Sequence, residues 1–274
     1  MTRDELITTI RSLRSVLCVG LDTEPHLVPE QFRTADDPVH AFNKAIIEAT
    51  KDHAVAYKLN LAFYEARGIE GWKSLERTVN EVPEDRFLIA DAKRGDIGNT
   101  ARMYAEAFFD NLRFDAVTVA PYMGHDSVRP FLGRDGKWAI VLGVTSNEGA
   151  LDFQFLSVDG GQHRLYEKVI RRAAEWGTSS DTMFVVGATR PEVLANVRAI
   201  VPDHFLLVPG IGAQGGDLQA VLEHGLIADA GLLVNSSRGI LYAGKGERSI
   251  DAAHAEAARL QGIMGSALLQ GGII

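Results

Sequence analysis

Eight short apolar runs constrain the fold more than any other feature of this chain. They are "SVLCVGLD" (15–22), "AVAYKLN" (54–60), "RFLIADAK" (86–93), "DAVTVAP" (115–121), "WAIVLGVT" (138–145), "MFVVGAT" (183–189), "HFLLVPG" (204–210) and "AGLLVNSS" (230–237). Their cores are apolar nearly throughout, the pattern of strands covered on both faces. Longer amphipathic segments separate them, clearest in "DPVHAFNKAIIEATKD", "GQHRLYEKVIRRAAEWG", "PEVLANVRAIV" and "DLQAVLEHGLI", and a last one, "SIDAAHAEAARLQGIMGSALLQ", follows the eighth run. Asp37-Pro38 and Arg190-Pro191 mark helix starts, with the prolines near the first helical position. The stretch from Asn147 to Gly161 reads as an irregular insertion after the fifth strand. Eight strand–helix units predict an α/β fold, a (β/α)8 TIM barrel preceded by the amphipathic N-terminal helix "MTRDELITTIRSL". Periodicity alone leaves a doubly wound open sheet as the competitor. Barrel closure is favoured by polar residues at several strand ends, which a barrel gathers on one rim: Asp22, Lys58 with Asn60, Asp91 with Lys93, Thr145 with Ser146, and Asn235.

The 274 residues, 46% hydrophobic with 27 glycines, suit a single barrel domain over 1–274. No Pro/Ser-rich linker divides the chain. The net charge of −8 argues against non-specific nucleic-acid binding, though it leaves room for a locally positive pocket. One cysteine, Cys18, excludes an intrachain disulfide framework, and its apolar surroundings predict a core thiol. No apolar signal core and no run of membrane-spanning length is present, so a cytoplasmic protein without membrane contact is expected. The eight histidines show no H-x-H, H-E-x-x-H or paired Cys/His spacing, so no metal site is expected. Neither a flavin motif nor a pyridoxal-type lysine arrangement is present, and no cofactor is expected.

The segment "DAKRGDIGNT" (91–100) leaves its apolar strand and at once brings together Asp91, Lys93 and Asp96. If the strand continues, Asp91 and Lys93 point to the same side and, at a barrel mouth, into the central pocket. Asp96, after Gly95, could return to that pocket or reach into a neighbour. Lys58, ending the second strand, could supply a second cation, and Asp22 ends the first. A carboxylate beside a lysine favours the ammonium. Such a network suits proton delivery to developing carbon negative charge better than Schiff-base chemistry. A rim salt-bridge cluster would show the same spacing.

The glycine loop "VPGIGAQGGDLQ" (208–219) removes side chains where backbone N–H groups could approach an anion, and Asp217 could cap the following helix. It is neither a dinucleotide fingerprint nor a Walker A loop. Arg238 follows the eighth strand, and the loops after strands seven and eight commonly cradle phosphate in this architecture. Pro121, Tyr122 and Met123 end the fourth strand and are candidates for an apolar pocket wall.

"DAKRGDIGNT" matches the D-x-K-x-x-D signature of orotidine 5'-phosphate decarboxylases. "LCVGLD", "YKLNLAFYEARGIEG", "VTVAPYMGHDS", "GVTSNEGALDFQ" and "VPGIGAQGGD" extend the resemblance over nearly the whole chain, to the longer-chain, often bacterial branch. One departure is Leu59, where the family often has proline beside the lysine. The resemblance implies decarboxylation of orotidine 5'-monophosphate to uridine 5'-monophosphate and CO2, in de novo pyrimidine synthesis. It implies that Lys93 protonates C6, that Asp91 lies near the substrate carboxylate, and that Lys58 holds the charge network and contacts the ribose. Asp22 is implied to bind a ribose hydroxyl. Gln214, with Gly215 in its loop, and Arg238 are implied to bind phosphate. Ser146, or its neighbour Thr145, is implied to bind the pyrimidine. Asp96 and Thr100 are implied to be given across the interface of a homodimer with a shared active site. A sugar-phosphate decarboxylase group shares the signature and, by its own pattern, uses magnesium and an enediolate.

Overall fold

The computed structural model describes residues 1–187, 190–211 and 216–274. Eight parallel strands close into a barrel: β1 (Leu17–Gly20), β2 (Ala56–Asn60), β3 (Phe87–Arg94), β4 (Ala116–Val119), β5 (Trp138–Val144), β6 (Thr182–Val186), β7 (Phe205–Pro209) and β8 (Leu232–Ser236). Each of the eight apolar runs supplies one strand, and each strand pairs with its sequence neighbours. The seam closes between β8 and β1, where Cys18 faces Asn235. This rules out the open sheet.

The helices follow from local signals. In α1 (Arg3–Leu13), Thr2 and Glu5 form a reciprocal capping box, and Leu6, Ile7 and Ile10 are buried. Arg3 donates to Ser179 O, and the Trp138 indole at the start of β5 donates to Met1 O, so α1 lies across the end of the barrel where the strands begin. The Asp37 carboxylate accepts from His40 N to start α2 (Pro38–Thr50). Further helices are α3 (Gly68–Glu81), α4 (Gly98–Glu106), α5 (Leu165–Ala174), α6 (Pro191–Ile200), α7 (Leu218–Gly225) and α8 (Ser249–Gln270). Asp217 caps α7 by accepting from Gln219 N and Ala220 N. β4 and β5 are joined by single helical turns, His125–Val128 and Arg129–Phe131.

Two expectations change. The insertion after β5 is not wholly irregular: it holds a helical turn, Ala150–Phe153, and a small antiparallel pair, Ser157–Val158 with His163–Arg164. The helix expected from Gly161 therefore begins only at Leu165. β4 stops at Val119, and the following turn carries Tyr122 to 97% exposure. Pro121, Tyr122 and Met123 line no part of the central cavity described below.

The core fills the barrel and the space under the helices. Trp138 meets Phe87 and Phe205 edge-on, with centroids 6.0 and 6.3 Å apart. Cys18 is buried at the inner seam, and burial pushes its thiol up to about 12, so it remains protonated at neutral pH.

Candidate active site

The strands' C-terminal ends surround a cavity of about 330 Å³. Asp22, Lys58, Asn60, Asp91 and Lys93 line one side of it, from the ends of β1, β2 and β3. Thr145, Ser146 and Gly187 line another, and Gly210, Ile211, Ser237 and Arg238 a third. The apolar wall is formed by Phe63, Leu142, Val185, Leu207 and Pro209, in place of the β4 turn.

Lys58 points inward from β2 and is 3% exposed. Its ammonium lies 3.0 Å from Asp91 Oδ2 and 3.5 Å from Asp22 Oδ1. Asp22 Oδ1 also accepts from Asn60 N at 3.3 Å. Lys93 Nζ lies 2.6 Å from Asp91 Oδ1. The order Asp22–Lys58–Asp91–Lys93 alternates in sign. Burial disfavours the Lys58 charge, but Asp22 and Asp91 outweigh it and hold the ammonium above the ordinary lysine range. Burial likewise pushes Asp91 upward, and Lys58 and Lys93 overcome it, holding the carboxylate well below its usual range. Both groups are ionised at neutral pH. Lys93, unlike Lys58, is half exposed and faces the opening.

A polar network behind this row has no obvious sequence signature. The Tyr64 hydroxyl donates to Leu21 O at 2.9 Å and accepts from Asn43 Nδ2 at 3.0 Å. Thr23 Oγ1 donates to Asn43 Oδ1 at 2.6 Å, and Tyr242 accepts from Glu24 N at 2.9 Å. Asn43, Tyr64 and Tyr242, side chains from three other segments, thus fix the loop that presents Asp22. Thr118, buried on β4, is a second residue sequence reasoning missed: it accepts from Lys93 N at 2.8 Å and donates to Asp91 Oδ1 at 3.1 Å. Its run, "AVTV", reads as ordinary β-branched packing.

The fifth-strand pair divides. Thr145 Oγ1 donates to Asn147 Oδ1 at 2.6 Å and accepts from Gln154 Nε2 at 2.8 Å. Ser146 lines the cavity with its hydroxyl bonded to no described residue, seated over Gly187, where a Cβ would lie 2.1 Å from Ser146 Oγ. Asn235 is 5% exposed; its Nδ2 donates to Ser237 Oγ at 3.2 Å, while Oδ1 has no partner among the described residues. Arg238 is exposed at the cavity's edge, at the start of a helical turn, Arg238–Leu241.

Asp96 and Thr100 are not brought to this chain's own cavity. Asp96 Oδ1 accepts from Ile97 N at 2.8 Å, and Thr100 is exposed in the first turn of α4. Gln214 and Gly215 lie outside the described residues. Among the described residues, no three His, Cys, Asp or Glu side chains gather as a metal-ligand group, and no helix is long and apolar enough to cross a membrane.

The arrangement offers a buried, sign-alternating row ending in an accessible ammonium, with an arginine and bare glycine backbone at the opposite edge. The family model of the orotidine 5'-phosphate decarboxylase / HUMPS family matches residues 15–253. An orotidine 5'-phosphate decarboxylase of Bacteroides fragilis is 53% identical over 264 residues, 95% of this chain and 96% of that one. One from Phocaeicola vulgatus is 52% identical over 273 residues, covering 98% and 100%. The structure of Leishmania donovani OMP decarboxylase superposes with a TM-score of 0.84 at 40% identity, covering 98% of this chain and all of that one. With a family match spanning most of the barrel and relatives above 50% identity end to end, this chain belongs to the orotidine 5'-phosphate decarboxylase / HUMPS family.

Proposed function

We propose that Lys93 delivers the proton that completes decarboxylation of orotidine 5'-monophosphate, within a charge network formed by Asp22, Lys58 and Asp91. The chain is a carboxy-lyase of pyrimidine biosynthesis. The C6–carboxylate bond breaks, CO2 leaves with the carboxylate's atoms, and the electron pair remains on C6 in the plane of the ring. Lys93 gives its ammonium proton to C6, yielding uridine 5'-monophosphate, and regains a proton from solvent. The observation that carries this reading is the fixed chain of charge from Asp22 through Lys58 and Asp91 to Lys93.

Each member has a distinct task. Asp91, held anionic, faces the substrate carboxylate and opposes it until CO2 has formed. Its negative charge also draws the Lys93 side chain to one position. Lys58 stands between the Asp22 and Asp91 carboxylates, and together with Asp22 it binds the ribose. Arg238 takes the phosphate, helped by Gln214 and Gly215, and Ser146 takes the pyrimidine edge, since the Thr145 hydroxyl is already engaged. Phosphate binding contributes energy from a part of the substrate that does not react. No cofactor takes part; stabilisation of the developing carbanion is electrostatic. The enzyme works as a cytoplasmic homodimer whose sites share Asp96 and Thr100 across the interface.

Loss of orotidine monophosphate absorbance with purified protein tests the reading. Turnover should survive exhaustive EDTA dialysis. Activity lost on dialysis and restored by magnesium would instead indicate the magnesium-dependent sugar-phosphate chemistry that shares the signature.

A further inference from the structure

We propose that Thr118 is a positioning residue for the Asp91–Lys93 pair, acting through the Lys93 backbone and the Asp91 carboxylate; the inference rests on the decarboxylase reading above. The β3–β4 ladder pairs Ala90 with Val117 and next pairs Arg94 with Val119. Three residues, 91 to 93, therefore stand opposite one, Thr118. A bulge of this kind re-aims side chains and bends the strand that carries it. Here it carries both Asp91 and Lys93.

The bulge includes a backbone conformation that a lysine rarely adopts. Lys93 has φ +48°, in the left-handed region where Cβ crowds the backbone. Such a residue persists only where its surroundings hold it. Beyond the bulge, the ladder is recovered at Arg94, whose carbonyl accepts from Ala120 N at 2.8 Å. The Arg94 guanidinium pairs with Glu65 and lies over Tyr104 and Phe108, 5.3 and 5.4 Å from their centroids. Within the bulge, the Lys93 N–H is held by the Thr118 hydroxyl.

The same hydroxyl spends its single proton on Asp91 Oδ1. Asp91 then receives three side-chain donors: Thr118 and Lys93 on Oδ1, and Lys58 on Oδ2. The carboxylate cannot rotate about its terminal bond without losing one of them. Thr118 does not line the cavity. Its effect is to join the backbone of the proton donor to the carboxylate that orients it, so that both move together or not at all.

Thr118→Val keeps the β-branched shape and removes the hydroxyl; Thr118→Ser keeps the hydroxyl and removes the methyl. Steady-state kinetics with orotidine monophosphate, binding of uridine monophosphate, and thermal unfolding are measured for each. Thr118→Val should lower kcat by about 10- to 100-fold, the scale of a misplaced reacting group. KM and product affinity should stay within about threefold, since ground-state contacts are unaltered. Thr118→Ser should retain kcat within about threefold of wild type by the same logic. A wild-type kcat in Thr118→Val overturns the inference. So does loss of product binding in proportion to kcat, or a serine variant as impaired as the valine one. If the valine variant does not fold, Thr118→Ala beside Thr118→Ser carries the same comparison. The wild-type protein run alongside keeps the questions apart: its failure to consume orotidine monophosphate would count against the decarboxylase reading, not against Thr118.

Discussion

Lys58 shows how single residues set the chemistry here. An isolated buried lysine loses its charge, yet this one is bracketed by two carboxylates and keeps it. The sign of the linkage can be tested. The folded-state pKa of Asp91 is depressed, so its contribution to stability is fully present above about pH 3.9, its unfolded value, and is lost as pH falls toward the folded one. That of Lys58 is raised, so its contribution is fully present below about pH 10.4 and is lost as pH climbs through the folded value. The difference in unfolding free energy between wild type and Asp91→Asn should therefore stay constant from about pH 5 to about pH 9, shrinking in acid as Asp91 gains a proton and in strong base as Lys58 loses one. Urea titrations across that range check it; a drift near neutrality would contradict the assigned charge states. Arg238 answers a different question. Arg238→Ala should weaken turnover of orotidine monophosphate by about 10- to 100-fold in kcat/KM while sparing the phosphate-free nucleoside orotidine. Equal penalties on both substrates would remove Arg238 from the phosphate site.

At the scale of elements, the β1–β8 seam sets the tightest limit. A Cβ on Gly20 would fall 1.9 Å from Ser237 Oγ and 2.8 Å from Ser237 Cβ. Rotating the hydroxyl away would leave the second clash. Gly20→Ala should therefore destabilise the barrel by about 1–3 kcal/mol. Adding Ser237→Gly should recover part of that loss, a coupling that chemical denaturation of both variants reads directly. The strands themselves were legible because all eight are apolar on both faces, and Asp22, Lys58, Asp91 and Lys93 were legible because polar residues at strand ends of a barrel meet on one rim. What escaped was register. Whether Asp91 and Lys93 share a side depends on a three-residue bulge, and no spacing in "DAKRGD" announces it. Thr118 was hidden for the same reason: its hydroxyl matters only because the bulge faces it. Tyr122 and Met123 misled because the apolar run outlasts the strand, and the turn after Val119 carries Tyr122 and Met123 outward.

For the whole molecule, the question is whether one chain makes a complete site. Asp96 and Thr100 leave the rim beyond β3 and do not enter their own cavity. Ile97 and Met103, on the same connection, and Tyr122 and Met123, on the next, are exposed apolar side chains. They emerge from adjacent strands at the same end of the barrel, which suits a surface covered by a second copy. If Asp96 serves the partner's site, Lys93→Ala and Asp96→Ala should each be nearly inactive as homodimers. A mixed dimer has one site carrying both lesions and one carrying neither, because the intact Lys93 of one chain meets the intact Asp96 of the other. Each mixed dimer should then recover at most half of wild-type activity. Random re-association makes half of all dimers mixed, so the pool should approach about a quarter of wild type. A network confined to one chain leaves one lesion in every site and recovers nothing. The measurement is decarboxylation after denaturant-assisted subunit exchange, with mass-tagged chains to verify mixing. Verified mixed dimers without regained activity would return Asp96 to its own chain, and the exposed apolar rim would then need another occupant.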